Sequence, residues 1–469
     1  MNTRSQSNLQ DAARRRLLSS GMALAVGGCS DAGTGATAAP PVPAPHRLST
    51  VGAGWARTSV NAPIFRKDAL TSDAVEQYAA WYDDDAQVIV ARRRLDDDAW
   101  TSQATGFSGR PRDAHNSISL MLDGDGYLHL AWDHHDDPLH YARSVAPGGL
   151  VFSPPEPMLG TEEDRVTYPE FLALPCGDLL FAYRHGRSGD GVLVLDRYAI
   201  ATRTWSRVQD ALLDGQGERS AYWQLHADAA GTVHLSWLWR DSEDVTSNHD
   251  LHYARSTTGG ASWSDVRDVP ATLPITASNA PPILAVPPGR NLINQTSLTA
   301  DPEGAPAIAF YFRPAEGAIT DIHVLSLESG TDAWRLERVS RRGSDFELTG
   351  PGTKSLPLSR PQIVHETRGR QRWLHVVYRD AEQDDRAVLA SSERTVPAPT
   401  WTRSVLPGGP LDRWEPSFDS RLWRDHARLH LYLQRVGQVD REGVDEDYPP
   451  TPVRVLEVTL PAPRAVTLP

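Results

Sequence analysis

Cysteine is scarce in this chain, since only Cys29 and Cys176 occur among 469 residues. Two cysteines so far apart exclude a disulfide-stabilised scaffold and a cysteine-rich zinc module. Basic charge is also in deficit, because the formal net charge is −13 and the sequence pI is about 5.6. A nucleic-acid partner would need a clustered basic surface, so we exclude that class of function. An anionic sugar stays possible as a ligand. Charges in solution are screened beyond about 10 Å, so arginines at a site can bind a carboxylate even though the protein as a whole is acidic.

Long apolar segments with a helical period are absent, whereas turn-forming and aromatic residues are abundant. The chain holds 36 proline, 35 glycine and 14 tryptophan residues. This composition is typical of many short strands joined by turns, and it predicts an all-β fold. Cys176 falls beside one such turn. We interpret it as a small buried residue, because no nearby group would lower the pKa of its thiol.

The first 29 residues resemble an export signal rather than part of a fold. The run from Arg14 to Arg16 precedes a weakly apolar stretch, Leu17 to Val26, and Cys29 follows two glycines, as in twin-arginine signals that end at a lipoprotein cleavage site. The stretch is too short to span a bilayer, which takes about 20 apolar residues. We therefore expect residues 1–29 to be a signal peptide, Cys29 to be lipidated, and residues 30–50 to form a flexible linker.

An exported lipoprotein of this kind is expected in the periplasm or anchored at the outer membrane. Its lipid would then be its sole contact with the membrane. A disordered tail with a chance cysteine is the alternative interpretation of this segment.

One type of strand recurs along the chain and indicates the architecture. The repeats are 51 to 73 residues apart, which is enough for a four-stranded blade with its loops. The segments Leu139–Ser144 and Leu251–Ser256, which each follow a repeat, also match one another. We therefore predict a seven-bladed β-propeller over residues 51–469, with no long sheet edge left exposed, and we expect a monomer. The seven strands are Tyr78–Trp81, His129–Trp132, Leu180–Tyr183, His234–Trp237, Ala307–Phe310, His375–Tyr378 and His430–Leu433.

Repetition also separates structural histidines from candidates for chemistry. Four of the 16 histidines occupy one repeat position, so we interpret them as hydrogen-bonded between strands. Two more lie in the matching strands that follow. These six are His129, His234, His375, His430, His140 and His252. The residues that break the repeat are His115, His135, Tyr168 and Arg184.

The openings of successive blades converge on one end of a propeller channel. Asp113–Asn116 opens the innermost strand of the second blade and Tyr168 opens that of the third, while His135 and Arg184 follow neighbouring strands. These residue types suit elimination at C4 of a uronic acid, because a guanidinium can neutralise the carboxylate and stabilise the enolate formed at C5. Arg184 fits that role. His115, His135 and Tyr168 can take the C5 proton or protonate the departing O4, in an order that the sequence leaves open.

The segments around these residues resemble a known family. Asp113–Asn116, Asp123–His135 and Tyr183–Gly189 are similar to the BNR-repeat family that includes ulvan lyases and L-rhamnose-α-1,4-D-glucuronate lyases. The resemblance extends from about residue 55 onward. It implies a seven-bladed propeller that cleaves rhamnose–glucuronate linkages by β-elimination and leaves a 4,5-unsaturated uronate. An anionic polysaccharide or oligosaccharide is the implied partner.

The same resemblance implies individual roles. His115, Tyr168 and Arg184 correspond to catalytic residues, with His135 as the partner histidine. His134 is also carried over, as a substrate contact. Strand alternation turns only one of the two adjacent histidines toward the groove, so the choice between His134 and His135 stays open. Further implied substrate contacts, matched by motif or by blade position, are Asn116, Arg219, Tyr222 and Arg360.

The implied reaction needs no cofactor, while a structural calcium or zinc ion stays open. Asp83–Asp85 and Asp96–Asp98 offer oxygen ligands for calcium but lack defined loop spacing. His115 and His135 could hold zinc, with a third ligand unidentified.

Two other functions stay open at this point. A sialidase-like glycoside hydrolase would need an arginine triad and a Tyr/Glu nucleophile pair, and only Phe65-Arg66 is similar to the opening motif of that family. A non-catalytic, surface glycan-binding lipoprotein would present aromatic platforms, for which Trp223, Trp239 and Trp414 are candidates.

Overall fold

The computed structural model describes residues 45–63, 68–328, 330–441 and 443–461, and these form seven antiparallel sheets arranged as the blades of a propeller. The predicted all-β, seven-bladed architecture is confirmed. Residues 1–29 with Cys29, most of the predicted linker, and Phe65-Arg66 lie outside the described residues. No helix within the described ranges is long and apolar enough to cross a membrane.

The first blade contains β2 (Leu70–Ser72), β3 (Glu76–Tyr82), β4 (Gln87–Arg94) and β5 (Thr101–Ser108). The second contains β6 (Ile118–Leu122), β7 (Leu128–Trp132) and β9 (Tyr141–Arg143). The third contains β8 (His135–Asp137), β10 (Val166–Ala173), β11 (Leu179–His185), β12 (Val192–Ala199) and β13 (Thr204–Gln209). The fourth blade contains β14 (Ser220–Ala227), β15 (Val233–Arg240) and β16 (Asn248–Ser256). The fifth contains β17 (Ser297–Ala300), β18 (Pro306–Phe312), β19 (Asp321–Leu327) and β20 (Trp334–Arg338). The sixth contains β21 (Gln362–Arg368), β22 (Gln371–Asp380), β23 (Arg386–Glu393) and β24 (Thr402–Val405). The seventh blade contains β1 (Arg47–Gly54), β25 (Ser417–Phe418), β26 (Leu429–Gln434) and β27 (Thr451–Val458).

The seven repeated segments predicted from the sequence are the second strands of the seven sheets, namely β3, β7, β11, β15, β18, β22 and β26. These strands are almost wholly buried, because each blade packs both faces against its neighbours. β15 is buried along its whole length, including Trp237 and Trp239. The repeat was therefore visible in the sequence because the core imposes it.

The first and last strands close the ring together. β1 pairs with β27 in antiparallel register, with Arg47 opposite Glu457, so the seventh blade combines both ends of the described chain. β1 begins at Arg47, which is earlier than the predicted domain start at residue 51. The start of the domain is set by this pairing, which the composition of residues 30–50 does not reveal.

A short helix closes one end of the central channel. α1 (Ser420–His426) begins after Asp419, whose carboxylate accepts the Leu422 N–H at 2.9 Å. Arg421 donates to the carbonyl of Leu122 at 2.7 Å, where an innermost strand ends. The opposite channel end, where the innermost strands begin, is where the candidate residues converge.

The repeat-position histidines have the structural role expected of them. His129 contacts Asp123 through Nε2 at 3.1 Å and the Tyr141 hydroxyl through Nδ1 at 2.8 Å, which joins a turn to two strands of one blade. His252 stacks on Trp237 with ring centroids 5.1 Å apart. The prediction for Cys176 is wrong, because its thiol is exposed in the hairpin turn before β11 rather than packed in the core.

Candidate active site

Two histidines and one aspartate form the centre of the site. Asp113 accepts a hydrogen bond from Nδ1 of His115 at 2.8 Å through one carboxylate oxygen and from Nδ1 of His135 at 2.6 Å through the other. The two imidazole rings stack with centroids 4.0 Å apart and planes 16° apart. A single carboxylate therefore orients both rings and directs both Nε2 atoms away from itself.

Local turns place these three residues. Asp113 also accepts the backbone N–H of His115 at 2.9 Å, a turn that precedes β6. Asp133, whose backbone is left-handed at φ 67°, accepts the N–H of Arg110 at 2.7 Å and links this loop to the segment that carries His135. β8 then leaves the second blade and pairs with β10 of the third, so that His135 lies opposite Thr167.

Burial and hydrogen bonding compete at Asp113. Burial disfavours its charge, but the hydrogen bonds and charges of His115 and His135 outweigh this and hold the pKa of Asp113 far below its usual range. Asp113 is therefore ionised at neutral pH and stabilises a positive charge on the histidine pair.

Tyr168 lies beside this pair on a distorted strand. The register of β10 against β11 shifts between Thr167 and Glu170, and Tyr168 adopts φ 57°, a backbone region that tyrosine rarely occupies. Its ring centroid lies 5.8 Å from that of His115. Burial and the neighbouring Tyr222 raise the pKa of Tyr168 above its usual range, so its phenol is a neutral proton donor at neutral pH.

Arg184 packs beneath the Tyr168 ring, with its Cζ 5.1 Å from the ring centroid. Its Nε donates to the carbonyl of Gly186 at 3.0 Å, and its side chain lies within 4 Å of no carboxylate in the described ranges. A buried cation without a counter-ion is costly, so this arrangement indicates a place where an anion binds.

Arg240 is the second arginine of this kind. It is buried at the end of β15, its Cζ lies 4.3 Å from the Tyr222 ring centroid, and its Nη2 donates to Ser188 Oγ at 3.2 Å. Six arginines are buried in the described part of the chain, and four of them pair with carboxylates, whereas Arg184 and Arg240 do not. The four paired residues are Arg93, Arg342, Arg360 and Arg379.

Tyr222 bridges the two uncompensated arginines. Its ring centroid is 6.1 Å from that of Tyr168. Burial disfavours its ionisation, but Arg240 and Arg184 outweigh burial and hold the pKa of Tyr222 below its usual range. Tyr222 thus contacts Tyr168, and its role as a substrate contact stays a prediction.

The other predicted substrate contacts are engaged elsewhere. Arg360 forms a bidentate ion pair with Glu415, with nitrogen–oxygen distances of 2.8 and 2.6 Å. Arg219 pairs with Asp241 at 3.1 Å near the surface. Arg360 nevertheless lines one pocket together with His115, Tyr168 and Arg240.

His134 and Asn116 support the site from below its surface. His134 is fully buried and accepts the backbone N–H of His140 at 2.8 Å, while burial lowers its pKa to about 3. Strand alternation thus turns His135 toward the site and His134 into the core. The Asn116 amide donates to the carbonyl of Arg110 at 3.0 Å, which holds the loop that carries Asp113.

A metal site would have to use the same three side chains. Asp113, His115 and His135 are the one group in the described ranges whose ligand atoms lie close enough together for an ion. Asp113 would be the third ligand of such an ion, which sequence reasoning left unidentified. Asp83 instead accepts backbone N–H groups of Asp85 and Gln87 in its own turn.

The sequence profile of the BNR repeat-containing family matches residues 76–342. This chain belongs to that family. An ulvan lyase, long isoform, of Glaciecola sp. (strain KUL10) is 24% identical over 243 residues, which make up 41% of this chain and 24% of that protein. The matched part thus spans about a quarter of that relative.

Solved structures share the fold of this BNR-repeat chain. The crystal structure of polysaccharide lyase Uly1 superposes with a TM-score of 0.62 at 15% identity, over 84% of this chain and 90% of that one. A PL25 ulvan lyase structure gives a TM-score of 0.60, also at 15% identity, over 80% and 89% of the two chains.

Three residues of the site were not predicted. Asp113 stood in the motif that we singled out, and its position two residues before His115 was an available signal for an orienting carboxylate. Arg240 and Lys354 carry no such signal in the sequence, because the fold alone brings them into the pocket with His115 and Tyr168.

Proposed function

We propose that this chain is a polysaccharide lyase that cleaves the linkage between rhamnose and glucuronic acid by β-elimination. The observation that carries the proposal is the contact of a buried, uncompensated arginine, Arg184, with Tyr168, which in turn lies beside the His115–His135 pair. This set supplies a carboxylate neutraliser, proton acceptors and a proton donor at one place.

Arg184 acts on the acidity of the substrate. Its guanidinium pairs with the uronate carboxylate and stabilises the negative charge that spreads onto this group when C5 loses its proton. Because Arg184 has no carboxylate partner in the described ranges, its charge is available to the substrate. Removal of bulk water from this buried position strengthens the interaction.

Protons then move at two atoms. A histidine of the pair, held by Asp113 through Nδ1, takes the C5 proton at Nε2, and Asp113 stabilises the imidazolium that results. The C5–H electrons form the C4–C5 double bond as the C4–O4 bond breaks. The neutral phenol of Tyr168 protonates O4, and later proton exchange with the histidine and solvent restores both groups. The reaction needs no cofactor, and the products are a 4,5-unsaturated uronate and a new sugar hydroxyl.

The comparisons support this class of reaction. The curated relative is an ulvan lyase, and one similar solved structure, at a TM-score of 0.58, is an ulvan lyase bound to a glucuronate–rhamnose 3-sulfate unit. The glycan-binding alternative finds less support, because its candidate platform residues Trp223, Trp239 and Trp414 are buried.

The test is to incubate the protein with ulvan and with rhamnose-capped arabinogalactan and to follow the ultraviolet absorbance of the unsaturated product. We expect the wild type to produce a signal and His115→Ala and Arg184→Ala to lose most of it. Arg370→Met, at an exposed turn between β21 and β22, is the matched control and should retain the signal. No signal on any uronate-containing glycan, or a signal that survives both substitutions, would refute the proposal.

The proposal also includes export. Residues 1–29 would direct the chain out of the cytoplasm, and Cys29 would carry the lipid that anchors it. Wild-type cells fed labelled palmitate should label the protein, whereas Cys29→Ser should abolish the label and release the protein from membranes. A labelled Cys29→Ser variant would contradict the assignment.

A further inference from the structure

We propose that Arg240 and Lys354 form a second anion subsite beside the candidate catalytic residues, and that it binds an exocyclic oxyanion on the glycan, distinct from the carboxylate that Arg184 neutralises. The group is a sulfate ester or a second uronate carboxylate. The inference rests on the proposed lyase function and deepens it, because it assigns a multiply charged glycan as the substrate.

Arg240 supplies the first cation. Its side chain is held in place by the Tyr222 ring and by Ser188, yet its Nε is fully buried and makes no hydrogen bond within the described residues. No carboxylate of the described ranges lies within 4 Å of its guanidinium. A fixed guanidinium that lines the pocket without a carboxylate partner is prepared for an oxyanion.

Lys354 supplies the second cation. It is one of two lysines in a chain whose 47 basic residues are otherwise arginines, and the other, Lys67, lies outside the described residues. Lys354 lines the same pocket as Arg240, His115 and Tyr168. Burial lowers the pKa of Lys354; the charges of Asp440 and Asp244 act against this shift, and those of Arg441 and Arg240 add to it. Two cations that repel one another in a shared pocket gain most from an anion between them.

The loop that carries Lys354 is fixed rather than loose. The backbone N–H of Gly350 donates to Asp244 at 2.9 Å, that of Ser355 donates to Asp440 at 2.6 Å, and the carbonyl of Thr353 accepts from the Arg441 N–H at 2.6 Å. Lys354 therefore keeps its place over the pocket without an ion pair. Asp244 and Asp440 accept these backbone N–H groups, and their charges also act on the ammonium group of Lys354, although neither forms an ion pair with it.

Arg360 shows what a compensated cation in this pocket looks like. It lines the same pocket, but Glu415 engages both sides of its guanidinium fork. The chain thus neutralises one cation of the pocket and leaves Arg240 and Lys354 without such a partner. Neither of these two has a carboxylate within ion-pair distance among the described residues, so an oxyanion of the ligand can pair with both.

The experiment compares substrates that differ in charge. The kinetic parameters of the wild type, Arg240→Met and Lys354→Met are measured on sulfated ulvan oligosaccharides, on the same oligosaccharides after desulfation, on arabinogalactan oligosaccharides with several uronates, and on a rhamnose–glucuronate disaccharide with one carboxylate. We expect each substitution to raise KM about tenfold on the substrate class that carries the second anion. The effect should be clearly smaller on the disaccharide.

The pattern identifies the source of the anion. A loss confined to sulfated oligosaccharides assigns the subsite to sulfate, and a loss confined to substrates with several uronates assigns it to a carboxylate. An equal loss on the singly charged disaccharide would overturn the proposal, because Arg240 and Lys354 would then act on the same group as Arg184 or on the fold. Lys354→Arg should restore KM, and Arg370→Met is the charge-matched control.

A binding measurement separates this proposal from the lyase assignment. Sodium sulfate, compared with sodium chloride at equal ionic strength, should raise the melting temperature of the wild type more than that of Lys354→Met or Arg240→Met. This result would stand even if no glycan were cleaved. Equal stabilisation of all three proteins, together with unchanged KM values, would overturn the subsite.

Discussion

Two groups of histidine in one propeller differ in how they use their ring nitrogens. His129 and His234 each bond an aspartate of a turn through Nε2 and a tyrosine of the third strand through Nδ1, so that both nitrogens serve the fold. His115 and His135 both bond the same carboxylate, that of Asp113, through Nδ1 and stack on one another. The first arrangement joins strands within a blade, whereas the second gathers two rings on one carboxylate and directs their Nε2 atoms away from it.

Replacement of one histidine from each group should give the largest contrast, since one variant should lose activity and the other stability. His115→Ala should lower kcat about 10²- to 10⁴-fold, because a proton acceptor or its stacked partner is lost. His129→Ala should instead lower the melting temperature, because it leaves the carboxylate of Asp123 and the hydroxyl of Tyr141 buried without this partner. Steady-state kinetics and thermal unfolding of both variants measure the two effects. The distinction would be lost if His129→Ala folded normally and were as inactive as His115→Ala.

The buried arginines offer the same contrast. Arg184→Ala should lower kcat about 10²- to 10³-fold, because the developing enolate loses its neutralising charge. Its stability should hold or rise, since a buried charge without a counter-ion is removed. Arg360→Ala breaks a bidentate pair with Glu415 and should lower the free energy of unfolding by about 3 kcal/mol. Urea denaturation beside kinetics separates the two, and a marked loss of stability in Arg184→Ala would contradict its role as an anion-binding residue.

Substitution of Asp113 tests whether its carboxylate holds and stabilises the His115–His135 pair. Asp113→Asn keeps the size of the side chain but removes the charge, so we expect kcat to fall about tenfold to hundredfold. The pH–rate profile should also change, because the variant lacks the ionised carboxylate that faces both rings. Asp113→Ala should lose more activity than Asp113→Asn. Identical pH profiles for Asp113→Asn and the wild type would mean that the carboxylate does not act on the pair.

Sequence reasoning succeeded where the core imposes a repeat. The seven second strands recur because every blade buries the same positions, and the structural histidines were recognised for the same reason. The repeat also exposed His115, His135 and Tyr168 as departures from it. The start of β1 at Arg47 was missed because it depends on pairing with β27, a contact across the whole chain.

The electrostatic half of the site could not be predicted in the same way. Whether a buried arginine has a carboxylate partner depends on residues that are distant in sequence. Glu415 pairs with Arg360 from 55 positions away, whereas no carboxylate of the described residues pairs with Arg240. His134 and His135 are adjacent, and only the exit of β8 from the second blade decides which one faces the site. Arg240 and Lys354 come from different blades and meet only in the folded pocket.

A buried repeat histidine should sharpen the comparison through the pH dependence of stability. Burial against Trp237 lowers the pKa of His252 to about 4. The unfolded chain binds a proton at this position near pH 6.5, before the folded chain does, so stability present above about pH 6.5 is lost as the pH falls toward 4.

His252→Leu should therefore show a flatter acid dependence than the wild type, with up to about 3 kcal/mol less stability lost between pH 7 and pH 4. Urea denaturation at several pH values measures the slope. His426→Leu, which removes an exposed histidine at the end of α1, is the control and should keep the wild-type slope. Parallel slopes for the wild type and His252→Leu would show that His252 is protonated equally in the folded and unfolded chain. The repeat histidines would then have to stabilise the fold through hydrogen bonds and packing rather than through their neutral charge state.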